Sequence, residues 1–235
     1  MSGHSKWATT KRQKAVIDAK RSSLFTKISK NISIAARDGA DPSMNFKLRM
    51  AIDQAKEASM PKDNIERAIA RGTGTGGVAQ LERVLYEGYG PAGIAVLIEA
   101  ISDNKNRTFS EVKHYFSKNG GHLGSTNSVA WMFDLRGVVH VAESALSETQ
   151  QLALIDAGMT DFTSSGEGTE IVVPLEKLQT VRDASEKLGL TIRQANATYL
   201  PKEHLPVADE ASVLSFLTGL DDLDDVDVIH TNADI

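Results

Sequence analysis

Lys6, Lys11, Arg12 and Lys14 surround a single aromatic, Trp7, close behind His4. Ammonium and guanidinium groups hold phosphates through charge-assisted hydrogen bonds, and an indole among them can lie flat on a base. Trp7 has a second use. No apolar periodicity surrounds it, so it either stacks on nucleic acid or folds back as an anchor on a helical core. The positive charge continues through Lys20, Arg21, Lys27, Lys30 and Arg37. Lys20, Lys27, Lys30 and Arg37 follow at spacings of seven, three and seven, which places them on one face of a helix.

The formal net charge of -5 conceals how unevenly the charge is laid down. Residues 1–37 hold nine Lys/Arg against Asp18 alone, a net of +8. Residues 38–71 balance, and residues 72–235 carry a net of -13. No Lys or Arg follows Lys202. Opposite ends of opposite sign describe a polyanion-binding arm on an acidic body. Phosphate-backbone binding is therefore the expected chemistry.

Other chemistry finds little footing. The six histidines (4, 114, 122, 140, 204 and 230) show no metal-ligand spacing, and no cysteine is present, so no metal or cofactor is expected. Gly72, Gly74 and Gly77 match G-x-G-x-x-G, but a helix pattern precedes them and a strand pattern follows. A dinucleotide site needs the reverse, so the stretch reads as a linker. The acids at 221, 222, 224, 225 and 227 lack the spacing of a calcium loop and read as a solvated face. No apolar run reaches bilayer length, and the N-terminus has no secretory pattern. These features predict a cytoplasmic chain without a membrane partner, a small-molecule substrate or enzymatic activity. Oligomeric state is not readable.

The elements that must position these groups follow from periodicity. Leu24, Phe25, Ile28, Ile32 and Ala35 recur at spacings of one, three and four, predicting a helix over 15–38 that ends at Gly39. A second helix is expected from Asp41-Pro42, burying Met44, Leu48, Ala51, Ile52 and Ala55, and a third from Pro61 to Gly72. Beyond the linker, strands are expected at 81–86 and 94–101, a helix at 106–118 and a strand at 128–134. Residues 138–199 then read as strand, helix, strand, strand, helix, strand, with the first strand at 138–141. A helix at 208–219 and a strand at 225–230 are too few for a domain and are expected to complete the sheet begun at residue 81. The fold class is thus α+β, an N-terminal three-helix domain followed by two α/β domains, one with the ferredoxin-like β-α-β-β-α-β order. The expected division is 1–76 for the basic helical domain with its Gly/Thr linker, 77–134 with 205–235 for a discontinuous middle domain, and 135–204 for the ferredoxin-like one.

Several segments together resemble the YebC/PmpR family. They are Gly3-His-Ser-Lys-Trp-Ala8 with Lys11, Arg12 and Lys14, Asp18-Ala-Lys-Arg21 leading to Phe25-Thr-Lys27, Met60-Pro-Lys-Asp-Asn-Ile-Glu-Arg-Ala-Ile69 and Arg71-Gly-Thr-Gly74. Tyr86-Glu-Gly-Tyr-Gly-Pro91, Asp103-Asn104 with Asn106-Arg-Thr108, Phe116-Ser-Lys-Asn-Gly-Gly121 and Ser128-Val-Ala-Trp-Met-Phe133 complete the set. Ala92 and Asn127 stand where the family commonly has glycine. The resemblance implies the same three-domain fold. It also implies one of two roles, a DNA-binding transcriptional regulator or a translation factor, some relatives being associated with ribosomes stalled on proline runs.

Charge and resemblance converge on a non-enzymatic nucleic-acid-binding regulator of gene expression. The first expectation is a ribosome-associated factor that docks on ribosomal RNA and relieves stalling. A DNA-binding transcription regulator is the alternative, and a metabolic enzyme with an incidental basic arm is the reading from another class. The expected nucleic-acid contacts are His4, Lys6, Trp7, Lys11, Arg12, Lys14, Lys20, Arg21, Lys27 and Lys30. The Gly/Asn-rich loop bearing Lys118, Asn119, Gly120, Gly121 and Ser128 is the candidate for close backbone approach.

Overall fold

The computed structural model describes residues 18–74 and 81–235, with side chains from Ser23 onward in the first of these stretches. The first helix, α1 (Asp18–Ala35), tightens into a 3-10 turn at Ala36–Asp38 and stops at Gly39. α2 (Phe46–Glu57) starts later than the Asp41-Pro42 signal suggests, because Asn45 is the better cap. Its side-chain oxygen accepts the Leu48 amide at 3.1 Å while its amide nitrogen donates to the Ala35 and Gly39 carbonyls, tying two helices with one buried residue. Asp41 instead closes a turn onto the Ser43 amide. Met44 is left ahead of the helix at 86% exposure, outside the core it was expected to join. α3 (Lys62–Gly72) follows Pro61. Ile28, Ile32, Leu48, Ile52, Ile65 and Ala68 form the core between the three helices. Gly72 belongs to the packing as well as to the linker: a Cβ there would lie 2.1 Å from the Ser33 carbonyl oxygen.

A four-stranded antiparallel sheet follows, in the order β3-β1-β2-β9. Its strands are β1 (Glu82–Tyr89), β2 (Ala95–Ser102), β3 (His122–Leu123) and β9 (Val226–Thr231). Strand alternation puts Tyr86, Val96, Ile98 and Ala100 on one face. There α4 (Lys105–Lys118) and α7 (Glu210–Asp221) cover them with Val112, Phe116, Val213, Phe216 and Leu217. Phe109, on the same helix, is 42% exposed. The C-terminal segment also forms a short parallel pair, β8 (Leu205–Pro206) with β10 (Ala233–Asp234).

The β1–β2 turn contains Ala92 at φ 56°, ψ 14°, a left-handed conformation that crowds an L side chain. Ala92→Gly removes a cost of about 1–2 kcal/mol and adds about 0.4–1 kcal/mol of unfolded-state entropy. The variant is expected to melt about 2–3 °C higher, measured by differential scanning calorimetry. A lower midpoint would mean the turn is not strained.

Residues 132–203 form a compact unit of their own. The chain runs β4 (Phe133–Val141), α5 (Glu148–Ala157), β5 (Asp161–Ser165), β6 (Gly168–Val173), α6 (Leu178–Lys187) and β7 (Ile192–Pro201). The antiparallel sheet order is β5-β6-β4-β7, which is the ferredoxin-like topology. A capping box from Ser147 and Gln150 starts α5. The expected separate strands at 128–134 and 138–141 are not observed. Residues 130–132 form a 3-10 turn, and β4 runs unbroken through Gly137. That glycine is a close-packing site in the strand, because a Cβ would meet Val173 Cγ2 at 2.7 Å.

Candidate nucleic-acid interface

Of the expected contacts, His4, Lys6, Trp7, Lys11, Arg12 and Lys14 lie outside the described residues. Lys20 and Arg21 fall in the opening turns of α1, with their side chains outside the description. Lys27 and Lys30 are described, and both turn toward the C-terminal segment of the same chain. Lys27 donates to the Asp221 carbonyl and lies 3.4 Å from its carboxylate. Lys30 donates to the Asp224 carbonyl at 2.9 Å and to Asp225 Oδ1 at 2.6 Å. Asn31 donates to Asp227 at 2.6 Å. A phosphate reaching either lysine would have to displace these partners. Arg37, from the same stripe, donates to the Leu81 carbonyl.

The acidic run therefore has a use that composition did not disclose. Asp221, Asp225 and Asp227 form the counter-surface of α1, where a solvated face was expected. Asp225 is the centre of this arrangement. Only 5% exposed, it accepts from Lys30 through Oδ1, and through Oδ2 from Thr108 at 2.6 Å, Arg107 at 2.8 Å and Ser102 at 3.3 Å. Burial alone would raise its pKa. Hydrogen bonds from Lys30, Thr108 and Arg107, together with the Lys30 charge, outweigh burial and hold it at about 2. A second node lies on the same sheet. Arg83 bridges Asn31 and Glu99, and His230 Nε2 lies 3.0 Å from Glu99 Oε1. Burial pushes Glu99 up, and the bonds from His230 and Arg83 bring it below the usual carboxylate value.

Beside Asp225 opens a cleft of about 480 Å³. α3 contributes Asn64, Arg67 and Arg71 to its lining, at spacings of three and four and so on one face. Lys30 comes from α1, Asp103 from the turn after β2 and Arg107 from α4. Phe25, Met60 and Leu81 supply apolar wall. Arg67 donates to the Asp63 carbonyl and to Asn64 Oδ1, both neutral acceptors. Sequence reading passed over Arg67 and Arg71 because residues 38–71 balance in charge. The spacing of Asn64, Arg67 and Arg71 was the available signal.

The Gly/Asn loop is firmly held. Lys118 ends α4, Asn119 caps it, and Gly120 takes φ 79°. Gly121 abuts β1, where a Cβ would meet the Tyr89 carbonyl oxygen at 2.7 Å. The Ser128 carbonyl accepts from the Tyr89 hydroxyl and from Trp131 Nε1, each at 3.1 Å. The clamp is Glu87, a 6%-exposed carboxylate within β1. It accepts the backbone amides of Asn127 at 2.6 Å, Val129 at 2.9 Å and Ala130 at 2.8 Å. Asn127 takes φ 66°, which a short polar side chain tolerates. Glu87 lies just past the expected strand at 81–86, in a strand that also carries Glu82 and Arg83, so its charge did not single it out, and its partners, forty and more residues away, were not visible. Among the described residues, no helix is long and apolar enough to cross a membrane.

Comparison with known proteins agrees with this geometry. Residues 5–75 match the family model for the TACO1/YebC protein N-terminal domain, and residues 81–233 match that for the TACO1/YebC second and third domain. A protein of Synechococcus sp. is 47% identical over 240 residues, covering 100% of this chain and 96% of the relative. One of Herpetosiphon aurantiacus is 45% identical over 241 residues, covering 100% and 95%. Both are named probable transcriptional regulatory protein. The crystal structure of a conserved hypothetical protein from Aquifex aeolicus superposes with a TM-score of 0.86 at 40% identity, over 97% of this chain and 96% of that one. With both family models matched in order and relatives this similar along its whole length, the chain belongs to the TACO1/YebC family.

Proposed function

We propose that this protein is a non-enzymatic, nucleic-acid-binding regulator of gene expression that acts in the cytoplasm on the ribosome, relieving stalls such as those on proline runs. The observation that carries the reading is the segregation of charge. Six Lys/Arg stand against one acid before residue 22. The acids at 221, 225 and 227 are engaged with Lys27, Lys30 and Asn31 in the fold. In this reading phosphate attraction falls to Lys6, Lys11, Arg12, Lys14, Lys20 and Arg21, with Trp7 and His4 among them. Lys27 and Lys30 serve to hold α1 to the C-terminal segment.

The names of the relatives favour a second reading, a DNA-binding transcriptional regulator. A duplex reader needs a helix with several base-contacting side chains free to enter a groove. The helix best supplied with them, α3, turns Asn64, Arg67 and Arg71 into the cleft. Backbone and single-strand contacts of the kind RNA offers suit this arrangement better. The buried acids among the described residues, Glu87 and Asp225, have structural partners, and with Glu99 they supply binding energy to the fold without implying catalysis.

Sedimentation of lysate through sucrose separates the readings. Co-migration with ribosomes at low salt is expected, and its absence there counts against translation. Binding of the purified protein to ribosomal RNA should weaken with salt. About five phosphate contacts give a log–log slope near -3.5 to -4.5. The Lys11→Ala/Arg12→Ala/Lys14→Ala variant should flatten the slope by about two. An unchanged slope would remove these residues from the interface.

A further inference from the structure

We propose that the cleft between α1, α3 and the start of α4 binds one nucleotide of a single-stranded nucleic acid, with the phosphate on Arg67 and Arg71 and the base toward the wall that includes Phe25. The proposal rests on the nucleic-acid reading above and gives it a specific pocket.

The charges around the cleft do not cancel. Lys30, Arg67, Arg71 and Arg107 line it against Asp103 and Asp225. Both carboxylates are already taken: Lys30 and Arg107 hold Asp225, and Arg107 also holds Asp103 at 2.9 Å. Among the described residues, Arg67 donates only to neutral oxygens, the Asp63 carbonyl and Asn64 Oδ1. The Arg71 guanidinium has no hydrogen-bond or ion-pair partner among the described residues; only its carbonyl is engaged, by the Gly74 amide. Of the two acids of α3, Glu66 pairs with Lys62 at 3.4 Å, and Asp63, one turn before Arg67, meets it through its carbonyl. Two guanidinium forks one helical turn apart thus have no ion-pair partner among the described residues at the edge of the cleft. Guanidinium presents donors in the planar pairs that match phosphate oxygens, and side chains four apart on a helix lie close enough to share one phosphate.

Shape and lining make the ligand more than an anion. The volume of about 480 Å³ falls within the range of small-ligand pockets, roughly 300–1,000 Å³. The wall beyond the arginines changes character. Phe25, only partly buried against the helical core, lines the cleft with the buried Met60 behind it, while Ser29 and Asn64 place hydroxyl and amide groups along the same wall, toward a sugar or a base edge. A phosphate alone would leave that wall unused.

The test uses the full chain and a fluorescein-labelled ten-residue oligouridylate, followed by anisotropy across a salt series, with oligothymidylate beside it. Arg67→Gln/Arg71→Gln is expected to weaken binding at least tenfold and to flatten the single-strand slope by about 1.4. Both arginines are exposed, so the melting midpoint should hold. Uridine monophosphate should displace the oligomer at concentrations where inorganic phosphate, at matched ionic strength, does not. Equal displacement by phosphate overturns the nucleotide pocket. If the double variant keeps full affinity while the Lys11/Arg12/Lys14 variant loses it, the cleft is excluded and the basic-arm reading survives. If neither variant loses affinity, the nucleic-acid reading itself fails. Should the double variant melt early, photo-crosslinking of an iodouridine oligomer to the unaltered chain decides. Crosslinked peptides from residues 25–30 or 60–71 support the pocket, and crosslinks only elsewhere reject it.

Discussion

Asp225→Ala is expected to lower the melting midpoint of the protein by about 10 °C, the equivalent of about 3–5 kcal/mol. The carboxylate is almost fully buried and accepts from Lys30, Arg107, Thr108 and Ser102 at once. Removing it abandons the Lys30 ammonium, whose side chain is only 14% exposed, beside hydroxyls that have lost their acceptor. Breaking one side of such a pair costs far more than the pair itself contributes. The loss should be felt where α1 meets the C-terminal segment, because Asp225 joins α1, the β2–α4 turn and the entrance to β9. Hydrogen exchange in α1 and β9 should accelerate together. A midpoint within 2 °C or so of the parent would show that the ion pairs there contribute no more than exposed ones do.

The same residue gives a pH signature. Its folded pKa of about 2 lies below the ordinary 3.8, so the contribution is fully present above about pH 4 and is lost as the pH falls through 2. The shift corresponds to about 2 kcal/mol. The difference in melting midpoint between the parent and Asp225→Asn should therefore narrow between pH 4 and pH 2. A constant difference over that range would assign the asparagine's effect to packing. Lys30→Gln should lower stability in the same sense while leaving the salt slope of RNA binding intact, which separates its role in the fold from that of Lys11, Arg12 and Lys14.

Lys27 and Lys30 show why part of the candidate site was legible in sequence and part was not. Helical periodicity correctly put both on one side of α1, since it depends only on the local 3.6-residue turn. It carries no information about what covers that side. The cover, Asp221 to Asp227, lies almost two hundred residues downstream, and an isolated acidic run looks the same whether it faces water or a helix. The break expected between strands at 128–134 and 138–141, where Gly137 sits, failed for a related reason. A glycine in a strand pattern signals either a break or a close approach, and only Val173 and Leu178 in place distinguish them. By contrast, the ferredoxin-like order was readable because each element announces itself locally, as Ser147 with Gln150 does at the start of α5. Arg67 and Arg71 sit between these cases: their shared helix face was visible, but the concavity they border exists only when α1, α3 and α4 are assembled.

Glu87→Ala should cost about 4 kcal/mol and release the loop that contains Ser128. Three backbone amides, those of Asn127, Val129 and Ala130, converge on this carboxylate, and Val129 is fully buried. Hydrogen bonds to a charged acceptor contribute about 1.5–3 kcal/mol each, and three that share one acceptor add to less than their sum. Water can reach Asn127 once the carboxylate is gone, but the Val129 amide has no such substitute. Glu87→Gln keeps the size and offers one oxygen, yet its amide group meets a backbone donor head-on, so about half the loss is expected. The strand itself should survive, since β1 remains paired to β2 from Glu82 to Tyr89 through its backbone. Protease cleavage and amide exchange should therefore rise between residues 121 and 130 before they rise in β1. If the loop is where the protein approaches a functional centre, both variants will lose ribosome co-sedimentation or activity there while retaining the salt-dependent RNA affinity of the basic arm. If exchange at Val129 and Ala130 stays as slow as in the parent, Glu87 is not the clamp, and the loop must be held by Tyr89 and Trp131 through the Ser128 carbonyl.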